Sequence, residues 1–269
     1  MPLVVVFGAG GGTGAAAVRR AAALGHPVRA VVRTPAAHAD RFAGVAGVEL
    51  VAGDVTDAAS VADAVRGAHG VVFAAATSTF FGASDVDEKV RFAAGNDTPL
   101  CYNSRSLRRA APRQGVLNVA SAAASAGVRR VVLISSAFVS PHQFWHPVRL
   151  ILNTIKWRLM DAKYEGEQHL RRSGVSYTVI RPGRLLHAPG GVKALAVSQG
   201  DVLQGGSPGI SRDDVAHVAL AALFDDAAQR VTLELVSGAD DAAEGQLAHV
   251  FAGLVQDAAA PPAAEAAAT

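Results

Sequence analysis

A doubly wound α/β fold built on a parallel sheet is what this sequence predicts, and three observations predict it. Short apolar, β-branched runs alternate with stretches of helical length through the first half of the chain. A glycine-rich turn, Gly8-Ala9-Gly10-Gly11-Gly12-Thr13-Gly14, joins the first such run to the first helix. The chain has 269 residues and is 50% hydrophobic, enough for one large buried core with a small C-terminal, substrate-side lobe.

Leu3 to Phe7 reads as a buried strand, and Ala15 to Leu24 as a helix stopped by Gly25. Between them, Gly8 permits the tight turn. Gly11 leaves room for a pyrophosphate, and Gly14 allows close packing of helix on strand. The free amides and dipole of the helix start then favour an anion. Pro27 to Val32 is the second strand, and Thr34-Pro35 looks like a cap and first helical residue. An acid at the end of this strand reads a ribose hydroxyl, whereas an arginine accommodates a 2′-phosphate. The chain has Arg33 there, Arg29 nearby and no acid before Asp40, so NADP is expected over NAD. The bland alternative is a solvated surface arginine.

Val48 to Val51 is the third strand, closing with Gly53-Asp54-Val55, and Thr56 or Asp57 can cap the helix Ala58 to Val65. Val71 to Ala76 is the fourth strand and its exit, where Ala74, Ala75 and Ala76 leave room for a ligand. Residues 77–111 break the rhythm with turn chemistry, isolated aromatics and an arginine cluster, and are read as an insertion. Gly115 to Ala126 is a helix and Arg130 to Ser136 the fifth strand. Pro147 to Arg172 reads as one long helix with a basic, aromatic start from Trp145. A protein partner or homodimer could use this 145–172 segment. Ser176 to Arg181 is the sixth strand, ending at Pro182-Gly183. Residues 184–210 form the small lobe, Arg212 or Asp213 to Phe224 a helix, Arg230 to Val236 a last strand and Ala242 to Gln256 a terminal helix. Residues 1–256 are read as one domain, and 257–269 as a mobile Ala/Pro-rich tail.

Net charge is +2 and the pI about 8.9, which gives no case for nucleic-acid binding. No apolar run reaches membrane-spanning length. The fold begins at residue 3, so no export signal is expected, and the single cysteine, Cys101, suits a reducing compartment. The expectation is the cytoplasm, or an organelle stroma or matrix after loss of a presequence. No Cys/His spacing suggests a metal, Gly-x-Ser-x-Gly is absent, and Asp85, Asp87 and Glu88 read as a solvated turn.

Several blocks together resemble an atypical short-chain dehydrogenase/reductase of the NmrA-like, NAD(P)-binding group, over residues 3 to about 238. They are the glycine turn, with Gly10 where Thr is usual; Gly53-Asp54; Gly115-x-x-Asn118; Lys163-x-x-x-Glu167-x-x-Leu170; Ser173-Gly174; Tyr177 to Gly183; and Ile210-Ser211-Arg212-x-Asp214-Val215-Ala216. The resemblance implies a Rossmann-type domain and hydride transfer between nicotinamide and a small carbonyl, enone or quinone-like substrate. It implies that Lys163 holds the nicotinamide ribose. Cofactor contacts are expected from Gly8, Gly10, Gly11, Gly12, Thr13, Gly14, Arg33, Asp54, Val55, Ala74, Ala75, Ala76, Lys163 and Pro182.

Two departures bear on function. The tyrosine usual four residues before Lys163 is Leu159, and no Tyr-x-x-x-Lys occurs anywhere in the chain. Tyr164 points about 100° away from Lys163 on a helix. The usual hydroxyl after the fifth strand falls, in the strictest register, on Ala137, with Ser135 and Ser136 just before it. Ser136 is taken as the catalytic hydroxyl beside Lys163, with Tyr164, His142 and His187 as other substitutes. The alternative class is a non-catalytic NADP-binding regulatory or assembly protein, which would keep the cofactor motifs without the acid.

Overall fold

The computed structural model describes residues 1–75, 104–155, 158–203, 209–243 and 245–258. Ala76, Cys101 and most of the expected insertion lie outside them.

The first half alternates strand and helix as the sequence predicts: β1 (Val4–Phe7), α1 (Gly12–Ala23), β2 (Val28–Val32), β3 (Val48–Ala52), α2 (Ala58–Val65) and β4 (Gly70–Phe73). Then come α3 (Ser104–Ser125), β5 (Arg130–Ile134), α4 (Pro147–Ile155), α5 (Leu159–Arg172) and β6 (Tyr177–Pro182). The last part holds β7 (Arg184–Leu186), β8 (Lys193–Ser198), β9 (Gly209–Ser211), α6 (Arg212–Phe224) and β10 (Val231–Asp241). The main sheet has the order β3-β2-β1-β4-β5-β6-β10-β8, parallel except for β8, which runs antiparallel to β10. Successive side chains of β1 go to opposite cores. Val4 and Val6 join the layer of α1 and α6, while Val5 and Phe7 join that of α2 and α3. The strand order reverses between β1 and β4, and ligands in such sheets bind at that crevice, beyond the carboxyl ends of the strands.

The structure corrects several boundaries. The long helix Pro147 to Arg172 is two helices, because Arg158 takes a left-handed conformation at φ 57°. Asn153 makes the break affordable: its Oδ1 accepts from the Met160 amide at 2.8 Å. Apolar spacing survives across it because Leu159 and Met160 begin the next helix. Arg149, read as part of an exposed basic start, is buried and donates to the carbonyls of Phe138, Val139 and Ser140 and to Asp161. Within the segment after β6, β8 closes one edge of the main sheet and β7 pairs with β9 in a separate two-stranded sheet. Among the described residues of 242–256, no α-helix forms. Gly245 and Gly253 adopt positive φ, only a 3-10 turn forms at Gln246–His249, and Val250 and Phe251 are buried in the α1 layer. Thr34 makes no side-chain cap, whereas Asp57 accepts from the Ala59 amide. Asp257, where the tail was expected to begin, accepts from Arg171, Tyr177 and Thr232.

Candidate cofactor and active site

The glycine turn at the end of β1 is built by close backbone approach. Gly8 sits at φ 79°, and a Cβ on it would stand 2.6 Å from the Ala75 amide nitrogen at the exit of β4. A Cβ on Gly14 would stand 2.2 Å from the Gly8 carbonyl oxygen, so α1 can pack on its own turn only without a side chain there. A Cβ on Gly10 would lie 2.6 Å from Nε2 of His38, and one on Gly12 would lie 2.7 Å from Cδ of Arg212. Gly11 differs. It is exposed and has only the Gly8 oxygen, at 3.4 Å, near its added carbon. The Gly11 amide donates to the Gly8 carbonyl at 3.0 Å, and α1 starts at Gly12 with no side-chain cap, so its uncapped, exposed start fits a phosphate.

The other predicted positions surround this turn. Arg33 is exposed at the end of β2. Arg29 is committed elsewhere, donating to the carbonyls of Ala64 and Arg66 at the end of α2. Asp54 holds its own turn, its carboxylate accepting from the amide and hydroxyl of Thr56 at 2.8 Å each. The Val55 carbonyl accepts from Asn118 at 2.9 Å, which ties the β3 exit to α3. Ala74 and Ala75 are half-buried beside the turn. Thr13 and Pro182 are buried, the latter's carbonyl accepting from Ala137 at 3.0 Å.

Across the crevice, a cavity of about 20 Å³ is lined by Phe73, Ala75, Leu133, Ser135, Leu159 and Lys163, among others. Lys163 donates from Nζ to the Ser135 carbonyl at 3.1 Å. Leu159 stands in this lining, one helical turn before Lys163. Ser135 lines this cavity, whereas Ser136, half-buried, follows it at the strand exit. His142 faces the Asp201 carbonyl, and His187 is exposed.

Behind this cavity lies a buried polar network. The Ser135 hydroxyl donates to Glu167, which also accepts from Arg181 at 2.6 Å and from Arg171 at 3.3 Å. Glu234 lies 3.4 Å and Asp201 3.9 Å from Arg181. Glu167, Asp201 and Glu234 are fully buried. Burial works against the Arg181 charge, but Glu167, Asp201 and Glu234 outweigh it and push the guanidinium above its ordinary value. Burial pushes the Glu234 carboxyl up, with Arg181 opposing. Asp201, at φ 57°, accepts from the amides of Phe138 and Ser140 at 2.7 Å each, while Arg149 takes the carbonyls of the same loop. The loop after β5 is thus pinned from both sides. Glu167 and Arg181 stood in the recognised motifs, but their pairing needed the fold. His38 and Asp201 carried no sequence signal.

The family model described as NAD(P)H-binding matches residues 8–226, and the chain belongs to that family, in agreement with its likeness to the atypical, NmrA-like short-chain reductases. A chloroplastic protein of Arabidopsis thaliana is 30% identical over 238 residues, 87% of this chain and 69% of its own length. A second chloroplastic Arabidopsis protein is 35% identical over 129 residues, and the match spans 45% of that relative and 47% of this chain. Sanguinarine reductase of Eschscholzia californica is 35% identical over 111 residues, 40% of this chain and 38% of its own. The fold is shared with an NAD-dependent epimerase/dehydratase-like protein from Bacillus halodurans, at TM-score 0.68 and 22% identity, over 90% of this chain and 96% of the other. It is shared too with a short-chain dehydrogenase/reductase from Veillonella parvula solved with NADP, at TM-score 0.61 and 15% identity, over 89% and 96%. Among the described residues, no helix is long and apolar enough to cross a membrane.

Proposed function

We propose that the protein is an NADP(H)-dependent oxidoreductase acting on a small, electron-poor organic acceptor. The observation that carries this reading is the placement of Lys163 and Ser135 on an apolar cavity beside the open glycine turn. A bound nicotinamide supplies the hydride. Lys163 holds the ribose from its anchor on the Ser135 carbonyl, Arg33 meets the 2′-phosphate, and Leu159, Phe73 and Leu133 exclude water from the acceptor. The Ser135 proton is engaged by Glu167, and Leu159 stands where the usual acid would be, so the cavity offers a substrate little proton donation. General acid help is worth roughly 10²–10⁴ in rate. Quinone- or enone-like acceptors, whose reduced forms tolerate a delayed proton, suit this site better than simple ketones. The sanguinarine reductase likeness supports a reductase reading. The lone Cys101 and the chloroplastic relatives suit a reducing cytoplasm or stroma.

Leu159 and Ala137 also support a second reading, a cofactor-binding regulator with no substrate. NADPH oxidation followed against quinones, enones, aldehydes and ketones separates the two. The first reading expects turnover with quinones or enones and little with ketones. Tight NADPH binding with no turnover across the panel would favour the regulator.

A further inference from the structure

We infer that Arg212 is a second cationic ligand of the dinucleotide, directed at its diphosphate, an inference that rests on the NADP(H) reading above. Ser211 ends β9 and caps α6: its hydroxyl accepts from the Asp213 amide at 3.1 Å and donates to the Ala188 carbonyl at 2.7 Å. This sets the first residue of α6 against the first residue of α1. A Cβ on Gly12 would stand 2.7 Å from Cδ and 2.8 Å from Nε of Arg212, so the stem of the arginine lies on the glycine turn. The residue is half-buried, and its Nη1 donates to the Leu185 carbonyl at 3.3 Å. Among the described residues, no carboxylate pairs with it. The first turn of α1 likewise carries no acid.

A guanidinium thus lies beside the positive end of a helix and, among the described residues, forms no ion pair, although Asp213 and Asp214 follow it in the first turn of α6. That juxtaposition is repulsive in the free chain and becomes attractive once a diphosphate lies there. The planar fork of an arginine suits adjacent phosphate oxygens. It also gives Gly12 a reason of its own: the missing side chain makes room for Arg212. Arg33 and Arg212 then divide the cofactor. Arg33 reads the phosphate that NADP alone carries, and Arg212 reads the part that NADP and NAD share.

The test is a set of dissociation constants for NADP, NAD, ADP-ribose and 2′-AMP with wild type, Arg212→Gln and Arg212→Lys, at one ionic strength. Arg212→Gln should weaken NADP, NAD and ADP-ribose alike, by roughly 10- to 100-fold, as expected for lost charge-assisted bonds. Binding of 2′-AMP, which lacks the diphosphate, should stay within about twofold, and Arg212→Lys should recover part of the loss. Wild-type dinucleotide binding with an unchanged Arg212→Gln variant would overturn the assignment alone. An equal loss for 2′-AMP, with a lowered melting temperature, would make Arg212 a support of the fold and overturn it too. If the wild type bound none of the dinucleotides, the NADP(H) reading would fall and this inference with it.

Discussion

The two halves of the crevice are held in opposite ways. The cofactor half, from Gly8 to Gly14, is shaped by missing side chains: backbone meets backbone at Gly8 and Gly14, and the His38 and Arg212 side chains lie against Gly10 and Gly12. Its positions are set by what a Cβ would strike, 2.2 Å from the Gly8 oxygen at Gly14 and 2.6 Å from the Ala75 nitrogen at Gly8. The substrate half, from Ser135 to Ser140, is held by buried charged side chains: Glu167, Arg181, Asp201 and Arg149. A turn built this way rejects a side chain where Gly8 and Gly14 meet backbone, while Gly11 has room for one. The loop after β5 depends on Arg149 from α4, Glu167 from α5, Arg181 from β6 and Asp201 from the segment after β8. The first arrangement suits a fixed ligand such as a dinucleotide. The second fixes the loop after β5 through side chains that arrive from other parts of the chain.

The largest expected effect tests the charge-built half. Glu167→Gln removes the buried carboxylate that serves Ser135, Arg171 and Arg181, and losing one member of a buried ion pair costs about 3–5 kcal/mol. Urea unfolding should show that loss at unchanged slope. A loss below about 1 kcal/mol would mean that Glu234 and Asp201 alone satisfy Arg181.

The backbone-built half makes two glycines a contrasting pair. Helix propensity alone would favour Gly14→Ala by about 1 kcal/mol, but the added carbon would meet a carbonyl oxygen. A net loss of about 1–3 kcal/mol is expected. Gly11→Val faces open space at φ −81° and should leave the melting temperature nearly unchanged while abolishing dinucleotide binding by calorimetry. Equal effects at both positions would erase the distinction between a packing glycine and a ligand-facing one.

Arg33 sharpens the comparison within the cofactor half. Arg33→Ala should weaken NADP by roughly 10- to 100-fold and leave NAD nearly untouched, and Arg33→Asp should invert the order. Paired dissociation constants at fixed ionic strength decide it. Tighter NAD than NADP binding by the wild type would remove Arg33 from the site.

The smallest effect is the pH dependence. His69, His169 and His217 all titrate below the ordinary histidine value of 6.5, mainly because burial disfavours their charge, with neighbouring arginines adding to it. The unfolded chain therefore takes up protons near pH 6.5 and the folded chain only at lower pH. Stability should rise with pH up to about 6.5 and fall on acidification below it. Melting temperatures followed from about pH 7.5 to 5.5 measure this. A flat profile would mean that these rings carry the same charge in both states.

What the sequence determined by itself was local. Strand, glycine turn and helix lie within the first 25 residues, so the turn's chemistry was legible before any fold was known. The strand alternation was equally plain, since each apolar run and each helix stop is a matter of neighbours in the chain. The sequence could not show that Arg149 is buried, that Arg158 breaks a helix, or that β8 runs antiparallel to β10 at the sheet edge. Each depends on how a particular side chain or strand is placed in space: Arg149 over the carbonyls after β5, Asn153 against the Met160 amide, and β8 against β10. Nor could it show that Lys163 donates to the Ser135 carbonyl, because that contact forms only when α5 packs beside the exit of β5. A turn that must admit backbone writes its glycines into adjacent positions. A buried charge needs only a complementary charge brought near in space, and residues 135, 167, 181, 201 and 234 meet only once the sheet is wound.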